Sequence, residues 1–119
     1  MNAGAAGTNE VIMCQNTILS KKNATIISQC LDCKMIMIWH GNALFYFSPD
    51  QFRAFKRFTE NLDVTECLFT FPDNEERLIL CTPNRDINFN FSLEEWEGFH
   101  AALAEAAYMQ DVYELVYPE

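Results

Sequence analysis

Two eight-residue stretches of this chain repeat each other at a fixed spacing, and few folds accommodate that pattern. Phe45-Tyr-Phe-Ser-Pro-Asp-Gln-Phe52 aligns with Phe89-Asn-Phe-Ser-Leu-Glu-Glu-Trp96, each position lying 44 residues before its counterpart, and Phe55 then aligns with Phe99. Both stretches read as the end of a strand, a serine cap and the start of a helix. Ser48 precedes a proline at the first helical position, and Gln51 stands where it closes a capping box; Ser92 and Glu95 repeat the arrangement. Phe47 and Phe91 precede the two caps, in position to pack on Phe52 and Trp96.

The flanking residues extend the repeat. Val11 to Ser20 and Ala24 to Cys30 read as a hairpin around Lys21-Lys22-Asn23, which would set Cys14 opposite Cys30. Met35 to Trp39 and Ala43 to Phe47 flank Gly41-Asn42, a pair suited to a tight primed turn. Phe52, Phe55, Phe58 and Leu62 make the expected buried stripe of the first helix. In the second copy, Val64 to Phe71 and Arg77 to Thr82 flank Pro72-Asp73-Asn74, placing Cys67 opposite Cys81, and Ile87 to Phe91 leads into a helix expected to reach about Gln110. The fold class expected is α+β: a mostly antiparallel sheet of about seven strands with two helices on one face, built by internal ββ–β–α duplication plus one N-terminal strand. Residues 1–10 read as a tail, and 11–119 as a single domain with repeats over 24–62 and 64–110.

Half of the 119 residues are hydrophobic, so a substantial core is available. The formal charge of −9 is uneven: Glu94, Glu95, Glu97, Glu105, Asp111, Glu114 and Glu119 follow one another with no Lys or Arg between them. Such a surface disfavours nucleic acid and anionic membranes, and no stretch approaches the ~20 apolar residues of a membrane span. The acidic face reads as solvated, as a dock for a basic partner, or as the counterpart of the basic cluster Arg53, Lys56 and Arg57. Met1 to Gly7 lacks the basic start of a signal peptide, so a cytoplasmic location is expected.

Cys14, Cys30 and Cys33 are the candidate metal ligands. Cys30-Leu-Asp-Cys33 has the spacing of a zinc knuckle, in which two thiolates grip one ion, and the hairpin argument brings Cys14 near; zinc is the candidate cofactor, with reduced structural thiols as the plain alternative. A redox role for Cys30 and Cys33 is the further alternative, although a thioredoxin-like pair needs a helix N-terminus. Cys67 and Cys81 read as a buried pair of small hydrophobes.

No nucleophile elbow, Gly-rich phosphate loop or paired-carboxylate arrangement stands out, and no catalytic residue is assigned. His40 lies beside a turn and His100 on the second helix. The preferred reading is therefore a non-enzymatic binding or regulatory module, with an unknown protein partner or self-association, and a structural homodimer as another possibility. A large concave pocket lined by His40 and several carboxylates would contradict it.

The Cys30/Cys33 pair, the apolar strand after it, Gly41-Asn42, Leu44, Ser48, Phe52, Thr82-Pro83 and the Ser-capped last helix, with Cys14 near the start, resemble a family of short bacterial proteins of unknown function. The resemblance runs over Cys14 to Val116. It implies a compact cytoplasmic domain and leads one to expect Phe, where this chain has His40, before Gly-Asn; it supplies no activity.

Overall fold

The computed structural model describes residues 15–116. Seven antiparallel strands and two helices follow one another in the expected order, with the strands divided between two sheets. The first sheet is a meander of β1 (Asn16–Lys22), β2 (Thr25–Cys30), β3 (Ile36–His40) and β4 (Ala43–Phe47), followed by helix α1 (Pro49–Glu60). The second contains β5 (Leu68–Thr70), β6 (Glu76–Cys81) and β7 (Asn88–Phe91), followed by α2 (Leu93–Val116). Three antiparallel strands and a serine-capped helix thus occur twice, and β1 is the additional strand.

Local chemistry accounts for the helix starts. In α1 the Gln51 backbone N–H donates to Ser48 Oγ at 3.1 Å, and the Ser48 N–H donates to Gln51 Oε1 at 2.9 Å. In α2 the Glu95 N–H donates to Ser92 Oγ at 3.1 Å and the Ser92 N–H to Glu95 Oε1 at 2.8 Å. Phe91 contacts Trp96 with ring centroids 5.7 Å apart, the expected staple, whereas the ring stacked on Phe47 is Phe55, at 5.2 Å.

Four expected details differ. The β1–β2 turn is the two-residue Asn23-Ala24, with Asn23 at φ 53°, and the ladder shifts between Ile18 and Ser20. Asn16 consequently stands opposite Cys30, and Cys14 lies outside the described residues. Val64–Cys67 is a 3₁₀ turn instead of a strand, because Asp63 Oδ1 accepts from both the Thr65 N–H and the Thr65 hydroxyl. On α1, Thr59 takes the buried position expected of Phe58; its hydroxyl donates to the Lys56 carbonyl, and Phe58 is turned out, 42% exposed. The second helix also runs past Gln110 to Val116, a length of about 36 Å.

Both helices lie on the same face of the first sheet. Ser20 on that face donates to Glu105 of α2 at 2.7 Å, and Phe47 on that face stacks on Phe55 of α1. The shared core joins Ile27, Ile36 and Ile38 from the first sheet to Leu78, Leu80 and Phe91 from the second. Arg53 of α1 pairs with Glu114 of α2, so the basic cluster meets the acidic helix within the fold.

Replacing either cap, Ser48→Ala or Ser92→Ala, is expected to lower stability by about 1 kcal/mol. Phe99→Ala, which empties a fully buried ring position, is expected to cost about 3–5 kcal/mol, both effects being read from denaturant titration of the variants against wild type.

Candidate functional site

Among the residues proposed as metal ligands, Cys30 and Cys33 occupy the turn that leaves β2. Cys30 is buried and Cys33 is exposed. The Cys33 N–H donates to Cys30 Sγ at 3.3 Å, and the Lys34 N–H donates to the Cys30 carbonyl at 3.0 Å. Lys34 adopts φ 70°, which lets the chain reverse so that the Cys30 N–H reaches the Met35 carbonyl at 2.9 Å. The turn also holds the start of β1: Gln15 donates to Asp32 at 3.3 Å and accepts from the Leu31 N–H at 2.7 Å. Among the described residues no three His, Cys, Asp or Glu side chains group closely enough to hold a metal ion.

Cys67 and Cys81 are not cross-strand partners. The β5–β6 ladder pairs Leu68 with Leu78, which leaves Cys67 in the 3₁₀ turn, while Cys81 pairs with Asn88 of β7. Cys67 is half-buried and packs against the core; Cys81 is exposed. Burial first, then the nearby Asp63, Cys81 and Glu66, push the Cys67 thiol above its ordinary pKa.

His40 sits where the two sheets meet. Its ring packs edge-on against Phe91, Phe99 and Phe89, at 5.1, 5.5 and 5.9 Å between centroids. Nδ1 lies 2.8 Å from Thr25 Oγ1. Burial holds the imidazole below its ordinary pKa, against an opposing pull from Glu95. His40 also borders a recess of about 360 Å³ with Glu94, Glu95 and Lys22. This brings together the residue types a hydrolytic site would use, but in a structural setting. Thr25 also borders the recess but is 1% exposed, with its hydroxyl engaged by His40, and the Glu95 carboxylate caps α2. His100 lies on α2 beside Trp96, 5.4 Å away.

A larger concavity, about 580 Å³, runs between β4, α1 and the Thr82-Pro83 turn. Phe45, Phe47, Phe55 and Phe58 make its aromatic wall, and Cys81, Thr82, Pro83 and Asn84 its opposite rim. Its lining contains no Asp, Glu, Lys or Arg. The rim is held by Thr82 Oγ1, which lies 2.6 Å from the Ile87 carbonyl and accepts from the Asn84 N–H at 3.1 Å. Beside it, β4 is the edge of its sheet among the described strands. His40 and Ala43 close a two-residue turn and therefore form a hydrogen-bonded pair, so alternation directs the backbone groups of Leu44 and Tyr46 outward. The volume is typical of ligand sites. Sequence reading missed this cleft because it placed Phe58 and Cys81 in the interior; the turn signal at Thr82-Pro83 was its one visible component.

The class defined is thus a small α+β domain of two sheets and two capped helices. Over residues 13–68 the chain matches the model of a family of unknown function, DUF6686. The matched stretch spans the first sheet and α1, including all three candidate ligand cysteines. No curated protein and no solved structure matches the chain.

His40 supplies a pH test. Its depressed pKa means that the unfolded chain takes up a proton first, so stability is complete above about pH 6.5 and falls as pH drops towards the folded-state pKa. Denaturation of wild type and His40→Phe at pH 7.5 and 5.5 is expected to show the wild type losing more stability on acidification. Equal losses would contradict a neutral, desolvated His40.

Proposed function

We propose that this chain is a non-enzymatic binding module whose ligand is an extended, uncharged, apolar peptide segment seated in the aromatic cleft along β4. One observation carries the reading: an uncharged cleft of about 580 Å³ borders an edge strand, in a chain of formal charge −9. An added strand would gain backbone hydrogen bonds at Leu44 and Tyr46, and every second side chain would enter the space between the phenylalanines and Pro83. Selection of random peptides on the immobilised chain is expected to enrich alternating apolar sequences. Phe58→Glu, a change at an exposed ring, should weaken their binding about tenfold or more while leaving the fold intact. Peptides enriched equally on both forms would remove the proposal.

A second reading concerns the thiol turn, and the N–H···S contact favours it. Zinc held by Cys30 and Cys33, with Cys14 as the third ligand, would stabilise the end of β2. The redox alternative has less support, since Cys30 ends a strand and gains nothing from a helix N-terminus. Protein purified without chelators is expected to contain about one zinc per chain, lost in Cys33→Ser. Metal-free protein with every thiol titrating would exclude the metal.

A further inference from the structure

The first sheet has two faces of unlike fate. Its inner face carries Ser20, Ile27, Ile36, Ile38 and Phe47 and lies under the helices. Its outer face has a different composition, which the register sets out. One row runs Ile18, Ser28, Met37, Tyr46; the next runs Lys21, Ile26, Trp39, Leu44. Antiparallel sheets that meet water on one side usually alternate apolar inside with polar outside. Here the outer rows are mostly apolar as well.

Most of these side chains are accessible, Ser28 being the buried one. Ile18 is 57% exposed, Trp39 47%, Leu44 50% and Tyr46 61%. Met37 and Ile26 are half-buried between them. Trp39 donates its indole N–H to the Gly41 carbonyl at 2.9 Å, so the ring makes no demand on solvent for a hydrogen bond. Lys21 is the single charged side chain in the two rows.

We infer that the outer face of the four-stranded sheet is the interface between two copies of this chain, packed sheet against sheet. Area and charge select this occupant. The exposed parts of Ile18, Trp39, Leu44 and Tyr46 amount to roughly 500 Å² of mostly apolar surface, beyond an ordinary scattering of exposed residues. That is less than the ~800 Å² that each partner gives to a standard interface, and Lys21, Ile26 and Met37 of the same rows add to it. A basic partner would be matched by acids, and these two rows carry none, while six of the chain's 17 acids lie on α2 and the rest are spread over other elements. A self-complementary patch suits a twofold. An axis running along the strands would place β1 of one copy over β4 of the other, setting aliphatic Ile18 against Tyr46 and Leu44 at the ~10 Å spacing of stacked sheets.

This interface uses side chains on the face of the sheet, whereas the peptide proposed above uses its backbone edge; Tyr46 borders both, but Ile18 belongs to the face alone and Phe58 to the cleft alone, which lets the two be tested apart. Sedimentation equilibrium of the full chain is expected to give a dimer. Leu44→Glu and Ile18→Glu, on opposite sides of the patch, should each raise the dissociation constant about 100-fold or more, with unchanged circular dichroism, since both residues are exposed. Phe58→Glu should leave the dimer intact. A wild-type monomer at roughly 100 μM, or a dimer unaffected by both substitutions, would overturn the inference.

Discussion

The contact of Phe89, Phe91 and Phe99 with Phe45 and His40 is the interaction on which the two-sheet arrangement depends. The second sheet has strands of three to six residues and buries too little to persist alone. Its attachment runs through Phe89, whose ring lies 4.7 Å from Phe45 of β4 and 5.3 Å from Phe99 of α2. Aromatic pairs of this kind contribute about 0.5–1.5 kcal/mol beyond the area they bury. Placing a histidine at this junction has one consequence: the ring must stay neutral to remain among the phenylalanines, and Thr25 satisfies its buried nitrogen.

The duplication is structural in its element order and unequal in its parts. The first half has an additional strand, β1, and the second half has a helix of 24 residues against 12 in α1. These two departures belong together. The longer helix covers the strand that has no counterpart. Glu105 accepts from Ser20 and pairs with Lys22 at 3.8 Å, and Tyr113 lies 3.3 Å from Thr17. The same extension carries Glu114 to Arg53 and ties one repeat's helix to the other's. An equal-length α2 ending near Ala104 would leave Thr17 and Ser20, on β1's inward face, without these partners.

The features decided by local chemistry were readable from the residues alone. Ser48, Gln51, Ser92 and Glu95 announce the helix starts, and Gly41-Asn42 announces a hairpin whose register the structure bears out. Errors arose where a nonlocal or small geometric choice decides. One bulge in β1 and a shorter turn moved the partner of Cys30 from Cys14 to Asn16. The β-rich composition of Val64 and Thr65 suggested a strand, but an aspartate cap on the preceding residue turned the chain instead. Whether Phe58 or Thr59 enters the core depends on how α1 rolls against β4, which periodicity does not specify. The cleft was illegible for that reason, since it exists because Phe58 rolled outward. The spacing of Cys30 and Cys33 was plain in the sequence, yet the turn is closed by the Cys30 N–H reaching the Met35 carbonyl, which depends on the positive φ of Lys34 that no composition rule assigns to lysine.

Charge and apolar surface are distributed in opposite senses over the molecule. The acids of α2 are in part engaged, Glu95 in a cap, Glu105 with β1 and Glu114 with Arg53, so the acidic helix is a strut of the fold before it is a docking surface. The uncharged cleft at β4 and the mostly apolar outer face of the first sheet both border the sheet that carries the family match. At a formal charge of −9, like molecules repel at long range, but screening confines that repulsion to about 8 Å at physiological ionic strength. Beyond the first contact the energetics therefore pass to apolar area, and that area is concentrated on one sheet. The second sheet presents less of it and serves mainly to position the Thr82-Pro83 rim. The first half thus carries most of the exposed apolar surface, and the second half supplies the rim that shapes the cleft beside it.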